Sequence, residues 1–175
     1  QFFTFAGSYW TAPAVMVGLW LSAKKTDDAR RANAISNALL LFAIAFAVAL
    51  ASASLLKFTL AFPRPSVVFG DAIRLIGEAD SQYSLPSGHA TFSALVVSAL
   101  WALTSKPLQG VLILYLSAVG WSRVAAGMHF PADVAAGWIV GAASFQIAKG
   151  MIIHRSLKAS GTGLWCGIAV CIAIL

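Results

Sequence analysis

Long apolar runs separated by short charged stretches dominate this chain, and they restrict the folds open to it. Of its 175 residues, 59% are hydrophobic and 10% are charged, whereas an ordinary soluble domain carries roughly 25% charged residues. A helix needs about 20 mostly apolar residues to cross the hydrocarbon core of a bilayer. The composition therefore excludes an ordinary soluble domain and predicts an all-α integral membrane protein.

The apolar runs predict a bundle of six membrane-spanning helices in a single domain that covers residues 1–175. The helices are expected at residues 2–23, 33–60, 86–104, 107–126, 131–149 and 161–175. No polar, Pro/Ser-rich linker divides the chain, so one domain is the natural count. In the fifth helix, small residues are expected to allow close approach to a neighbouring helix; these are Gly137, Gly141, Ala142 and Ala143.

The distribution of lysine and arginine predicts which face of the bundle is cytoplasmic. The first, third and fifth connections and the helix ends beside them carry eight basic residues, namely Lys24, Lys25, Arg30, Arg31, Lys106, Lys149, Arg155 and Lys158. The opposite face carries four, namely Lys57, Arg64, Arg74 and Arg123. Cytoplasmic loops are enriched in lysine and arginine, so the second face is predicted to be extracytoplasmic in a plasma (inner) membrane. The net charge of +6 then requires no nucleic-acid partner.

Three of the four basic residues on the predicted outer face converge on one place in this topology. Lys57, Arg64 and Arg123 all stand at or near helix ends. Ionisable groups beside a bilayer cost free energy unless they are paired, hydrated or bound to a ligand, so the three cations predict a bound anion. Arginine presents a planar fork to two phosphate oxygens, and lysine adds a point charge. A phosphate group is the expected ligand, although each cation alone would also suit a snorkelling anchor.

The start of the predicted third helix adds a second anion-binding feature. The backbone N–H groups of Ser87, Gly88 and His89 are expected to face the phosphate at the positive end of the helix dipole. Pro86 suits the first helical turn, where its missing N–H costs little. Gly88 permits close approach of the backbone to a ligand.

Two histidines and one aspartate complete the candidate site. His129 precedes Pro131, which places Asp133 in the first turn of the fifth helix and close enough to orient the imidazole. An oriented imidazole can act as a nucleophile on phosphorus. His89 is expected to protonate the leaving group and then to activate water. This scheme needs no metal and no cofactor.

Other polar residues are given structural interpretations. The acidic residues Asp71, Glu78 and Asp80 match no known metal-ligand spacing, so solvated loop charges are favoured. Cys166 and Cys171 lack the histidine and cysteine pattern of a zinc site and are interpreted as small buried hydrophobes.

Three sequence blocks resemble the signature motifs of the type 2 phosphatidic acid phosphatase family. They are K-x(6)-R-P from Lys57 to Pro65, P-S-G-H from Pro86 to His89 and S-R-x(5)-H-x(3)-D from Ser122 to Asp133, and all eleven specified residues match in order. The resemblance implies that His129 is the nucleophile, Asp133 its partner and His89 the general acid. It also implies a phosphate-binding set of Lys57, Arg64, Ser87, Gly88 and Arg123.

The resemblance implies a reaction as well as a site. It indicates hydrolysis of a lipid phosphomonoester or diphosphate, such as undecaprenyl diphosphate, phosphatidylglycerol phosphate, phosphatidic acid or a lipid A phosphate, through a phosphohistidine. The family also includes soluble vanadium-dependent haloperoxidases, and the six predicted spans argue against that activity. Two alternatives remain open. One is a phosphotransferase that uses the same histidine, and the other is a non-enzymatic lipid phosphate transporter, which would not need the His129–Asp133 pair.

Overall fold

The computed structural model describes residues 12–77 and 82–155, and helices make up most of this part of the chain. The helices are α1 (Ala12–Lys25), α2 (Ala29–Leu60), the five-residue α3 (Pro65–Phe69), α4 (Gly88–Trp101), α5 (Lys106–Ala125) and α6 (Pro131–Arg155). The all-α prediction is therefore confirmed for the described residues. The predicted helix at residues 161–175 and the first ten residues of the predicted helix at 2–23 lie outside them.

The boundaries of α2 follow from its capping residues. Asp28 Oδ1 accepts a hydrogen bond of 2.9 Å from the N–H of Arg30, which is the usual role of an aspartate before a helix. The predicted start at residue 33 is therefore wrong by one turn, because the charged segment after Asp28 is already helical. The helix ends at Leu60, where Ala61 adopts a left-handed conformation with φ 46°.

The N-terminus of α4 also differs from the prediction. Ser87 is the N-cap and the helix begins at Gly88, so Pro86 lies before the helix and not in its first turn. The Leu85–Pro86 peptide bond is cis. The predicted range of 86–104 is thus too long at both ends, since the helix stops at Trp101. In contrast, α6 continues beyond the predicted residue 149 to Arg155.

Among the described helices, α2 and α5 are long and apolar enough to cross a membrane, and α4 is a shorter apolar helix. At about 1.5 Å per residue, the 32 residues of α2 extend well past the roughly 30 Å of a hydrocarbon core. The 14 residues of α4 fall short of it. Because α4 begins at the second motif, its short length affects how deep that motif would lie in a membrane.

The core of the bundle lies where α1, α2 and α4 meet. The rings of Phe42 and Phe46 of α2 pack against that of Phe92 of α4, with centroids 6.1 and 6.0 Å from it, and against each other at 6.2 Å. Met16 and Leu19 of α1 are buried in the same cluster. Aromatic pairs at these separations are favourable beyond their buried area, so they fix α4 against α2.

Two glycines of α6 set the distance between α6 and α4. A Cβ on Gly137 would lie 2.6 Å from the carbonyl oxygen of Ser87, and a Cβ on Gly141 would collide with the carbonyl oxygen of Thr91. The predicted close helix approach is confirmed at these two positions. Because Ser87 caps α4, this contact also determines where the start of α4 lies relative to α6.

We expect the Gly141→Ala variant to be less stable than the wild type, because the added methyl group must push α4 and α6 apart. Overpacking of this kind costs about 1–3 kcal/mol, or roughly 2–4 °C of melting temperature per kcal/mol at this length. Gly110→Ala is the matched control, since Gly110 lies in α5 with nothing within 4 Å of its added Cβ. Thermal unfolding in detergent checks this, and an unchanged melting temperature for Gly141→Ala would contradict the packing described.

Candidate active site

The first motif lies at the end of α2 and in the connection that follows it. Lys57 Nζ donates to the carbonyl oxygen of Tyr83 at 3.0 Å. Arg64 is 4% exposed and donates from a terminal guanidinium nitrogen to the carbonyl oxygen of Met128 at 3.0 Å. Each of the two cations therefore donates to a backbone carbonyl. The acceptor of Lys57 lies shortly before the second motif, and the acceptor of Arg64 lies in the third motif, next to His129.

Residues 62–63 and 83–84 join the first motif region to the second. Pro63 and Tyr83 form an isolated antiparallel bridge, and the Ser84 N–H donates to the Phe62 carbonyl at 2.9 Å. The hydroxyl of Ser84, which is fully buried, donates to the Pro63 carbonyl at 2.9 Å. Sequence reasoning missed Ser84, because nothing in the local pattern distinguishes this serine from a loop serine.

The start of α4 is tied directly to α6. The Ser87 N–H donates to the carbonyl oxygen of Asp133 at 3.0 Å, so the expectation that this N–H faces a phosphate is wrong. The Ser87 side chain caps the helix weakly, at 3.5 Å from the Ala90 N–H. The first N–H groups of a helix take no part in its own hydrogen-bond ladder, and Gly88 provides the first of them in α4.

Asp133 lies beside the ring of His129 in the first turn of α6. His129 Nδ1 lies 3.5 Å from Asp133 Oδ2, both side chains are buried, and Nδ1 makes no hydrogen bond within the described residues. The separation exceeds the usual length of an N–H···O hydrogen bond. The same oxygen accepts a 2.7 Å hydrogen bond from the Phe130 N–H, as a carboxylate does when it reaches back over a helix start. The ring therefore turns Nδ1 toward the carboxylate and Nε2 away from it.

His89 is paired with the third cation. A terminal nitrogen of Arg123 lies 3.3 Å from His89 Nε2, and both residues are buried. A guanidinium has donors only, so Nε2 must present its lone pair to Arg123 and the ring proton must sit on Nδ1. The sequence predicts an acid role for His89 without specifying the nitrogen; from Nε2, that role requires Arg123 to turn toward another acceptor.

The surroundings of His129 lower its pKa from the ordinary value of 6.5. Burial is the largest cause, and the positive charges of Arg64 and Lys57 act in the same direction, while Asp133 opposes them. A lowered pKa keeps the imidazole neutral, with its lone pair available, down to a lower pH than for a free histidine. This is the form that a nucleophile requires.

We expect the imidazole of His129 to titrate with a midpoint below 6.5, because burial and two nearby cations disfavour its protonated form. Nuclear magnetic resonance of ¹⁵N-histidine-labelled protein in detergent measures the midpoint, and the His129→Ala variant assigns the signal. Lys57→Met should raise the midpoint, since it removes one of the two cations. A wild-type midpoint above 6.5 would show that the carboxylate of Asp133 dominates instead.

Two cavities border the candidate site. A cavity of about 630 Å³ beside Arg64 is also lined by Ser66, Gln82 and Tyr83. A narrow apolar cleft of about 50 Å³ lies between α2 and α4 and reaches Gly88, with Phe46 and Phe92 among its walls. The first cavity is open to the exterior beside Arg64. The second has apolar walls and borders Gly88. Both Arg64 and Gly88 are candidate phosphate-binding residues.

The remaining polar residues of the second connection are exposed or lie outside the described chain. Asp71 and Arg74 are exposed, while Glu78 and Asp80 lie outside the described residues. Within residues 12–77 and 82–155, no group of three histidine, cysteine or acidic side chains is placed to hold a metal ion. Cys166 and Cys171 also lie outside the described part.

The contacts link all the predicted site residues at one end of the bundle. Arg64 reaches the Met128 carbonyl beside His129, His129 pairs with Asp133, and the backbone of Asp133 binds that of Ser87. The other members adjoin these, namely Lys57, Gly88, His89 and Arg123. The convergence that the sequence predicts is therefore present, although the Ser87 N–H binds Asp133 in place of a ligand.

Curated relatives share sequence with part of this chain. An undecaprenyl-diphosphatase of Sulfolobus acidocaldarius is 33% identical over 104 residues, which are 56% of this chain and 47% of that protein. A decaprenylphosphoryl-5-phosphoribose phosphatase of Mycobacterium tuberculosis is 37% identical over 71 residues, which are 41% of this chain and 38% of that protein. The chain thus spans less than half the length of either relative.

Solved structures share the fold over most of the chain. The crystal structure of Aquifex aeolicus LpxE matches with a TM-score of 0.65 at 22% identity, covering 85% of this chain and 81% of that one. A transmembrane PAP2-type phosphatidylglycerolphosphate phosphatase from Bacillus subtilis matches with a TM-score of 0.64 at 24% identity, covering 89% and 75%. The helical arrangement is therefore that of transmembrane PAP2 folds.

The match to the family profile includes the whole candidate site. The profile described as the PAP2 superfamily covers residues 37–156, which is more than half of the chain and contains all three motifs. The resemblance read from the motifs is confirmed, and the chain belongs to the PAP2 superfamily.

Proposed function

We propose that this chain is an integral membrane phosphatase that hydrolyses a lipid phosphomonoester or diphosphate through a phosphohistidine at His129. The observation that carries the proposal is the buried His129–Asp133 pair, with Nδ1 and Oδ2 3.5 Å apart, beside two buried arginines. A binding protein for phosphate needs the cations but not an oriented imidazole. The pair therefore favours catalysis over transport.

The phosphate is held by the three cations and by the first turn of α4. Arg64, Lys57 and Arg123 bind its nonbridging oxygens, and the N–H of Gly88 adds a donor at the positive end of the helix. When Arg123 turns from His89 Nε2 to the phosphate, the ring nitrogen is released. Substrate binding then allows His89 to carry a proton on the nitrogen that faces the leaving group.

The reaction proceeds in two displacements. His129 Nε2 attacks phosphorus, the bond from phosphorus to the leaving oxygen breaks, and His89 gives its proton to that oxygen. Asp133 stabilises the positive imidazole that forms. In the second step, His89 takes a proton from a water molecule as the water oxygen attacks phosphorus. The phosphorus–nitrogen bond then breaks, which releases inorganic phosphate and restores His129.

Two observations support a lipid as the substrate. The relatives named above carry polyprenyl or lipid substrates in their names, and the apolar cleft between α2 and α4 reaches Gly88. At about 50 Å³ the cleft does not enclose a hydrocarbon chain, but its apolar wall offers one a surface beside the start of α4. The candidates remain undecaprenyl diphosphate, phosphatidylglycerol phosphate, phosphatidic acid and lipid A phosphates.

The membrane arrangement is part of the same proposal. Six spans, with the candidate site at the extracytoplasmic face of the plasma membrane, agree with the eight-to-four distribution of basic residues between the faces. The apolar lengths of α2 and α5 support two of these spans.

We expect His129→Ala to reduce phosphate release by at least about a thousandfold, since loss of a covalent nucleophile removes most of the catalysis. His154→Ala is the matched control, because it replaces the one histidine of the three in the chain that lies outside the motifs. Both purified variants should be assayed with a panel of lipid phosphates and diphosphates in excess EDTA, with circular dichroism as a check of the fold. Substantial turnover by a folded His129→Ala variant would exclude His129 as the nucleophile.

A further inference from the structure

The connection that surrounds the candidate site exposes an unusual amount of apolar surface. Seven large apolar side chains between residues 58 and 76 are half or more exposed, namely Phe58, Leu60, Phe62, Val67, Val68, Phe69 and Ile76. We call residues 58–76 the rim segment. An apolar patch of this kind on a polypeptide surface marks a contact with a membrane or with another protein.

The short helix α3 shows that residues 12–77 and 82–155 leave this surface largely exposed. Val67, Val68 and Phe69 are consecutive and are 71%, 53% and 51% exposed. Successive helical residues point about 100° apart, so the three side chains extend in clearly different directions around the helix. Pro65 at the start of α3 is buried, which anchors one end of the helix, while the three residues at its other end are exposed.

The rim segment is attached firmly to the site. The ring of Phe69 contacts that of Phe130, the residue after His129, at a centroid distance of 6.1 Å. The ring of Phe58 contacts Tyr83 at 6.4 Å, and the Ile76 N–H donates to the Ala126 carbonyl at 3.0 Å. Whatever contacts the rim segment therefore lies immediately beside the nucleophile candidate.

The lengths of α4 and α5 bear on the depth of this region in the proposed membrane. From Trp101 at one end of α4 to Gly88 at the other, the 14 residues span about 21 Å. Arg123 lies 17 residues after Lys106 at the start of α5, or about 26 Å along the helix. Both lengths are shorter than the roughly 30 Å of hydrocarbon. With Trp101 and Lys106 at the cytoplasmic surface, as proposed above, the start of α4 and Arg123 would lie below the outer surface of the hydrocarbon.

We propose that the rim segment is inserted into the lipid leaflet around the site, with α3 at the boundary between headgroups and acyl chains. Its apolar surface continues that of α2, where Leu55 and Phe58 are 65% and 76% exposed on a helix long enough to span a bilayer. The occupant is therefore the bilayer itself. This inference rests on the proposed membrane location and adds to it the position of α3 at the lipid interface.

Fluorescence quenching in nanodiscs tests this insertion directly. The Val67→Cys or Val68→Cys variant, in a Cys166→Ser, Cys171→Ser background, carries an environment-sensitive dye, and Asp71→Cys is the polar control on the same segment. We expect lipids with a shallow nitroxide to quench the dye at 67 and 68. Aqueous iodide should quench it at least about threefold less than at 71, as for a half-buried interfacial element.

Two outcomes of the quenching experiment would overturn the proposal. Equal iodide quenching at 67, 68 and 71 would place α3 in water. Protection from both quenchers would show that protein, such as a second copy of the chain, covers the helix. Neither outcome depends on catalytic turnover, so the experiment is separate from the test of the proposed function.

A functional comparison uses Val68→Asp with Ala72→Asp as its control, both on exposed positions of the rim segment and outside the lining of the cavity beside Arg64. We expect Val68→Asp to lower kcat/KM at least about fivefold for a long-chain lipid phosphate in vesicles, because a carboxylate opposes insertion. Turnover of a short-chain, water-dispersed analogue should be unchanged in both variants. Equal activity of Val68→Asp and wild type on vesicles would contradict the role of α3. Inactivity of the wild type on every substrate would instead reject the proposed function.

Discussion

Asp133 is the residue on which the geometry of the candidate site depends. Its carboxylate accepts a hydrogen bond from the Phe130 N–H and lies against His129, and its backbone carbonyl accepts one from the Ser87 N–H. One residue thus fixes the orientation of the imidazole and the position of the start of α4. The close approach of Gly137 to the Ser87 carbonyl strengthens the same connection one helical turn further along α6.

The charges at the site are arranged to be stable before a ligand arrives. Buried cations without partners are costly, and here Arg64 has the Met128 carbonyl, Lys57 the Tyr83 carbonyl and Arg123 the ring of His89. Each of these acceptors is neutral and is therefore weaker than a phosphate oxygen. The three cations can therefore leave these acceptors and bind an anion. When Arg123 does so, Nε2 of His89 is no longer occupied as an acceptor and can take up a proton.

The sequence predicted the identity of the site better than its internal connections. The motif residues and the order of the apolar runs were enough to predict that Lys57, Arg64, His89 and Arg123 lie at one end of a helical bundle. The four-residue spacing of His129 and Asp133 similarly predicted their contact, because such residues are neighbours at a helix start.

The unpredicted features are mostly contacts to backbone atoms, which side-chain patterns do not encode. The carbonyls of Tyr83 and Met128 bind cations, and the N–H of Ser87 binds Asp133 in place of a ligand. The start of α4 at Gly88 depends on the Ser87 cap, which a reading based on apolar runs extended to Pro86. The burial of Ser84 depends on the path of a connection whose shape has no periodic signal.

Trapping the intermediate would show whether His129 forms a covalent bond to phosphorus. Purified protein is mixed with a lipid phosphate labelled with ³²P in the reacting phosphoryl group, quenched in alkali within milliseconds to seconds, digested and mapped by mass spectrometry. We expect alkali-stable label on the peptide that contains His129, and none in the His129→Ala variant. Label on His89, or turnover without any labelled peptide at quench times shorter than one turnover, would contradict this expectation.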